Sequence, residues 1–321
     1  FLAQGFDLYD YLAMFKVLEL EDSYVVLAKF NHIIFDGMCV NTFKRDLQIL
    51  LDGGTLDVDD SFLKMAAFHR QIKCTEKFDE AKDFFDSMYS NIEKVKGLHP
   101  DNPSRGYGLK TYDLEFDSKA LKSFLDNSGL SENIFFTSIF AYALSRFERS
   151  EDVLFSMIDN GRGRFDDYDA IGLYANISTL LINCSNQSIG SFFDHASDMV
   201  YGAIKYDYYP LILTFKDYPI DATVIFQFIP DWISYDVIDG ENSVVFSSDF
   251  MDDFLEEVLG NMDELLAEFI VQIFKNGDNY SVLIVNANKY SDKMVEEFKD
   301  ILESILSNIV HEELSTDLND I

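Results

Sequence analysis

The sequence is short of basic residues, cysteine and long apolar runs, and each shortage closes off a class of function. Only 25 Lys and Arg stand against 57 Asp and Glu, a formal net charge of −32 at pH 7. A surface of that sign repels phosphate backbones and anionic headgroups, so neither nucleic acid nor membrane is expected as a partner. The acidity is spread along the chain and not gathered in a tail, which is the pattern of a solvated surface and not of a binding site. The three cysteines, Cys39, Cys74 and Cys184, are isolated and show no CxxC spacing. They argue against a disulfide framework or a zinc knuckle and fit a reducing, cytoplasmic compartment, where they are expected as inert core residues. No apolar run is long enough to cross a bilayer. The opening Phe-Leu-Ala-Gln-Gly has neither a Met nor the basic start of a signal peptide, so the sequence reads as beginning inside something longer.

Several common sites are also missing. His69, His99, His195 and His311 show no HExxH-like spacing, so no metal is expected. Ser156 lacks a GxSxG context, and Gly161-Arg-Gly-Arg164 lacks the spacing and the Lys-Ser/Thr pair of a phosphate-binding loop.

What is present is enough apolar residue, 48% of the chain, to bury a large core. Tyr24–Phe30 reads as a strand running into the loop Asn31–Gly37, and Val40, Phe43, Leu47, Leu50 and Leu51 then fall at helical spacing up to Gly53-Gly54. A charged amphipathic stretch spans about residues 76–96, and the turn-rich run 99–106 is the best linker candidate. Beyond it, strands are expected at 111–116, 153–158, 177–184, 223–228, 266–274 and 280–285, the last two flanking the hairpin signal Lys-Asn-Gly-Asp-Asn. Helices are expected from Ser118 to Gly129, from Ser131 through Phe147, over 189–205, and from Ser291 to about Val310. Interleaved strands and helices predict an α/β architecture with mixed sheets in two lobes, 1–106 and 107–321.

One loop carries chemistry. His32, Asp36 and Gly37 form the pattern H-x-x-x-D-G where a strand ends, and a strand-end loop holds a side chain on a rigid support. Histidine can accept or donate a proton near neutral pH. Asp36 can pair with an arginine, and Gly37 permits a turn or a close approach. On these letters alone the favoured reading is a satisfied, half-buried His beside a loop-capping Asp, since most such short matches are accidental.

The surrounding sequence decides otherwise. Asn31-His-Ile-Ile-Phe-Asp-Gly37 resembles the HHxxxDG motif of the condensation domains of nonribosomal peptide synthetases. Gly5-Phe-Asp-Leu8 resembles the family's PFDL, and 152–162, ending in Gly-Arg, is similar to its segment closed by a Gly-Arg pair. Ile171-Gly-Leu-Tyr-Ala-Asn176 resembles IGxFVNT, Tyr206–Pro210 resembles HQDYP, and Val224–Phe228 stands near the family's FQ-containing strand. The likeness runs in order along essentially the whole chain.

The resemblance implies two chloramphenicol-acetyltransferase-like lobes in a V, the first incomplete here, with the motif at the floor of a tunnel. It implies an acyltransferase in which a carrier-bound acceptor amine attacks a carrier-bound thioester. No cofactor is implied on the domain itself, because its substrates ride on the 4′-phosphopantetheine of donor and acceptor carrier domains in neighbouring synthetase modules. His32 matches the catalytic histidine, Asp36 and Gly37 the structural end of the motif, and Arg162 the salt-bridge partner of Asp36. Tyr174 and Asn176 fall in the IGxFVNT-like run and are carried over as tunnel residues. Asn31 replaces the motif's first histidine, and the HQDYP-like run has lost its own. Transfer to a hydroxyl or a soluble amine, epimerisation, and carrier docking without chemistry share the same pattern; cyclisation is disfavoured because its aspartate-rich motif is missing.

Overall fold

The computed structural model describes residues 5–22, 24–165, 167–185, 187–218, 220, 223–231 and 267–321. The chain divides into two compact units, one of residues 1–73 with 160–175, the other of 74–159 with 176–321.

In the first unit β1 (Ala13–Glu19) and β2 (Tyr24–Phe30) form an antiparallel pair in register from Ala13 opposite Phe30 to Glu19 opposite Tyr24. β1 was not apparent in the sequence, because its residues are exposed from Phe15 onward and its apolar letters do not alternate. Phe30 stacks on Phe35 at 4.2 Å, and Phe15 and Phe43 close the cluster edge-on to Phe30. Offset and edge-to-face contacts of this kind contribute about 0.5–1.5 kcal/mol each beyond burial. A single 3₁₀ turn, His32–Ile34, leads into α1 (Cys39–Leu51), and α2 (Ser61–Ile72) follows.

The second unit is built on a six-stranded mixed sheet. Its strands are β3 (Tyr107–Asp113), β4 (Asp152–Asp159), β5 (Asn176–Asn183), β6 (Val224–Ile229), β7 (Phe269–Asn276) and β8 (Asn279–Ala287). They lie in the order β3-β8-β7-β6-β4-β5, with β6 parallel to both neighbours and the other pairs antiparallel. Leu266, the expected start of the seventh strand, lies outside the described residues. Helices α3 (Glu76–Met88), α4 (Ser118–Ser128), α5 (Glu132–Glu148), α6 (Ile189–Lys205), α7 (Leu211–Asp217) and α8 (Asp292–Ile309) complete the unit. α5 is buried continuously from Ile134 to Ser145, so it carries apolar residues on every side, as a helix inside a core must. Phe140 on α5 packs on Phe155, Phe226 and Phe298 from β4, β6 and α8. Caps set the starts: Ser131 Oγ accepts from Ile134 N, and Ser291 Oγ from Met294 N. α4 is capped by Asp117 and not by the expected Ser118, since the carboxylate accepts from both Lys119 N and Ala120 N.

The observed division differs from a boundary at residue 106. The run 99–106 is held to the sheet unit, with Asn102 Nδ2 donating to Asn288 O and Asp101 accepting from Ser291. Residues 76–94 also belong there, because Tyr89 Oη donates to Thr179 O on β5 at 2.8 Å and Phe84 and Phe85 pack on Tyr206 and Tyr209. Turn-rich composition marks an irregular path, and here that path is bonded along its length. None of the described helices is long and apolar enough to cross a membrane.

Glu148, the last residue of α5, has a buried Oε2 without a hydrogen-bond partner among the described residues. Burial pushes its carboxyl up to about 7 from 4.5. The folded chain therefore holds a proton there that the unfolded chain releases, and stability falls as pH rises from about 4.5 to 7. Glu148→Gln is expected to raise unfolding stability by about 1–3 kcal/mol at pH 8 and by nothing measurable at pH 4. Equal effects at the two pH values in denaturant titrations would refute this.

Candidate functional site

The site is assembled in the first unit at the end of β2. Asn31 N donates to Leu12 O at 2.8 Å, extending the strand pairing by one residue. The Asn31 side chain then turns the backbone: Oδ1 accepts from Ile33 N at 3.0 Å and caps the 3₁₀ turn of which His32 is the first residue. His32 is exposed, with its backbone carbonyl accepting from Phe35 N at 3.4 Å. Four residues on, Asp36 is buried, 3% exposed. Gly37, its neighbour, accepts from Val40 N and opens α1.

Asp36 is the best-bonded carboxylate of the site. Oδ2 accepts from Arg162 Nη1 at 2.8 Å, Tyr174 N at 2.9 Å and Ala175 N at 3.0 Å. Oδ1 accepts from Met38 N at 3.1 Å and lies 3.4 Å from the Cys39 thiol. Burial alone pushes the carboxyl up, but the Arg162 guanidinium and the Tyr174 and Ala175 amides outweigh it and hold Asp36 below its ordinary value. The stability it contributes is thus complete above the ordinary carboxylate pKa of 3.8 and is lost as pH falls through the lower folded value.

Arg162 is fully buried. Its Nη2 donates to Ala170 O at 3.2 Å, Gly172 O at 3.4 Å and Cys39 Sγ at 3.3 Å, and its guanidinium lies 4.6 Å from the centre of the Tyr174 ring. The planar fork of donors that reaches several acceptors at once belongs to arginine and has no counterpart in lysine. Nε has no hydrogen-bond partner among the described residues, so one donor of the guanidinium is left unsatisfied.

The loop 160–175 folds around this pair for identifiable reasons. Gly161 has φ +60, and a Cβ there would sit 2.0 Å from Tyr174 O. A Cβ on Gly172 would meet the Phe62 ring at 2.4 Å. The two glycines of the Gly-Arg and Ile-Gly-Leu-Tyr segments therefore let two stretches of backbone and an α2 aromatic approach one another.

The structure brings together His32, Asn31, Asp36, Gly37, Arg162 and Tyr174 in one unit. Tyr174 is 4% exposed, its ring packed on Arg162 and edge-on to Phe62, and its Oη is buried without a partner among the described residues. Burial pushes that phenol up to about 12. Its contacts thus support the ion pair. Asn176 belongs to the other unit, where Nδ2 donates to Asp207 O at 2.7 Å and ties the start of β5 to the Tyr206–Pro210 segment. Tyr208 and Tyr209 of that segment are 5% exposed and pack as an aromatic patch.

Cys39 was missed as a site residue. Expected as inert core, its thiol lies 3.2 Å from Gly172 O and accepts from Arg162 and from Gly172 N at 3.3 Å. The only sequence signal for it is its place one helical turn after Asp36. Cys184 is buried as expected, whereas Cys74 is exposed. Among the described residues no group of His, Cys, Asp and Glu could hold a metal ion.

A family model described as the condensation domain matches residues 2–318. No curated protein matches the chain. Among solved structures, the chain is similar to the X-domain from teicoplanin biosynthesis, at 15% identity, covering 99% of this chain and 76% of that one with a TM-score of 0.76. It is similar to the condensation domain from Monacolin K polyketide synthase MokA, at 14% identity over 92% of this chain and 71% of that one, TM-score 0.69. It is also similar to the epimerization domain from the third module of tyrocidine synthetase B, at 12% identity over 93% and 72%, TM-score 0.69. The mixed α/β fold is accordingly the chloramphenicol-acetyltransferase-like fold of condensation-domain structures.

Gly161→Ala is expected to destabilise the chain by about 2–3 kcal/mol, because the αL strain and the contact with Tyr174 O act together. A denaturation midpoint within error of the parent would contradict this assignment of the loop.

Proposed function

The chain belongs to the condensation-domain family, and we propose that it forms an amide bond between two carrier-bound substrates, with His32 as its catalytic residue. The observation that carries this reading is the contrast between His32 and Asp36: one motif presents an exposed imidazole and buries an ion-paired carboxylate four residues later. The carboxylate is spent on holding the loop, and the imidazole is left for a substrate.

In this reaction the acceptor nitrogen attacks the thioester carbonyl, the C–N bond forms, and the C–S bond of the tetrahedral intermediate breaks. The nitrogen loses a proton and the leaving thiolate gains one. His32 is suited to take the first and supply the second, or to hydrogen-bond the amine in line with the carbonyl. A thioester is already activated, so alignment supplies much of the rate. The substrates are carried on 4′-phosphopantetheine arms, and the partners are donor and acceptor carrier domains of synthetase modules. Recruitment of a partner without turnover is the second reading, favoured by Asn31 in the place of the motif's first histidine.

Donor and acceptor carriers loaded with aminoacyl-phosphopantetheine are incubated with the chain or with His32→Ala, and intact masses are taken. A dipeptidyl acceptor carrier is expected with the parent and a loss of about 100-fold or more with the variant, the scale of one general acid–base group. Carriers that bind and stay unchanged across a panel of amino acids would overturn the condensation reading in favour of recruitment.

A further inference from the structure

Asn31 stands where the motif has a histidine, and by sequence the exchange removes a titratable group but keeps hydrogen-bonding capacity. The structure shows what Asn31 does with that capacity. Its Oδ1 accepts from Ile33 N at 3.0 Å, with Asn31 itself in extended backbone, φ −72 and ψ 135, the conformation of an N-cap. Its own N–H is held by Leu12 O, and its carbonyl accepts from Ile34 N at 3.1 Å. Three bonds thus fix one residue between the last residue of β2 and the first residue of the turn, and that first residue is His32. The other end of the turn is fixed by Phe35, stacked on Phe30 at 4.2 Å, and by the buried Asp36, whereas His32 and Ile33 at its start are exposed. An exposed one-turn helix has too few backbone bonds to persist without its ends being held.

We propose that Asn31 is a positioning residue: its side-chain amide oxygen, by capping the turn, sets the backbone from which the His32 imidazole is presented. The catalytic consequence rests on the condensation reading; the capping itself does not. An acceptor atom at this position is what matters, so aspartate serves in place of asparagine and alanine does not.

The full chain is compared with Asn31→Ala and Asn31→Asp by amide hydrogen exchange at Ile33, by ¹⁵N relaxation at His32, and by turnover of loaded carriers. Asn31→Ala is expected to speed Ile33 exchange about tenfold, the usual scale of a lost cap. It is also expected to increase fast backbone motion at His32 and to lower kcat about tenfold with KM and melting temperature held. Asn31→Asp is expected to restore most of both losses. Exchange and relaxation in Asn31→Ala equal to the parent would overturn the proposal, as would a loosened turn that leaves kcat intact. A merely structural role would move the melting temperature and not split kcat from KM. Should the parent form no dipeptide, the condensation reading fails, and exchange and relaxation still decide whether Asn31 fixes the turn.

Discussion

The first unit depends on one buried carboxylate. Asp36 is removed from water with Arg162, and a buried ion pair gains less from mutual attraction than its two charges lose in hydration unless further hydrogen bonds are made. Here they are made: two backbone amides from the 160–175 loop and one from Met38 join the guanidinium around the same carboxylate. The arrangement is worth more as a lock than as a source of energy. Removing either partner strands the other charge in a site with no solvent, so the two chain segments, 126 positions apart, are held in one geometry.

From that lock the presentation of His32 follows in steps. β2 delivers the chain to Asn31, the Asn31 side chain turns it, and Asp36 fixes the far end of the turn before α1 begins. The imidazole lies between two anchored points while remaining exposed. The same division of labour explains the loop: Gly161 and Gly172 contribute absence of a side chain, Tyr174 and Ala175 contribute N–H groups, and Arg162 contributes charge. Within the IGxFVNT-like run, the Tyr174 backbone N–H donates to the Asp36 carboxylate and its ring packs on Arg162.

Much of the fold was legible where local rules act alone. α6 and β2 have the limits that periodicity and β-branched composition set, and the Ser131 and Ser291 caps start α5 and α8 as the cap rule requires. The Asp36–Arg162 contact was legible through resemblance, whereas the motif letters alone favoured a half-buried His beside a loop-capping Asp. What stayed hidden is non-local. β1 carries no alternation to betray it, and nothing near residue 106 tells that its turn-rich run is bonded to the loop after β8. Cys39 enters the site through backbone atoms of Gly172, a partner that one-dimensional spacing cannot supply. For Asn31 the sequence shows retained hydrogen-bonding capacity, but only geometry shows that the bond is to Ile33 N and caps the turn.

The most direct test of the central interaction is a double-mutant cycle on Asp36 and Arg162, read by equilibrium denaturation near neutral pH. Asp36→Ala and Arg162→Met should each cost about 3–5 kcal/mol, because each leaves an uncompensated buried charge. The double variant should cost much less than their sum, with a coupling of about 2–3 kcal/mol. Costs that simply add, with coupling below about 0.5 kcal/mol, would show that the two side chains act independently and that the lock does not hold the site.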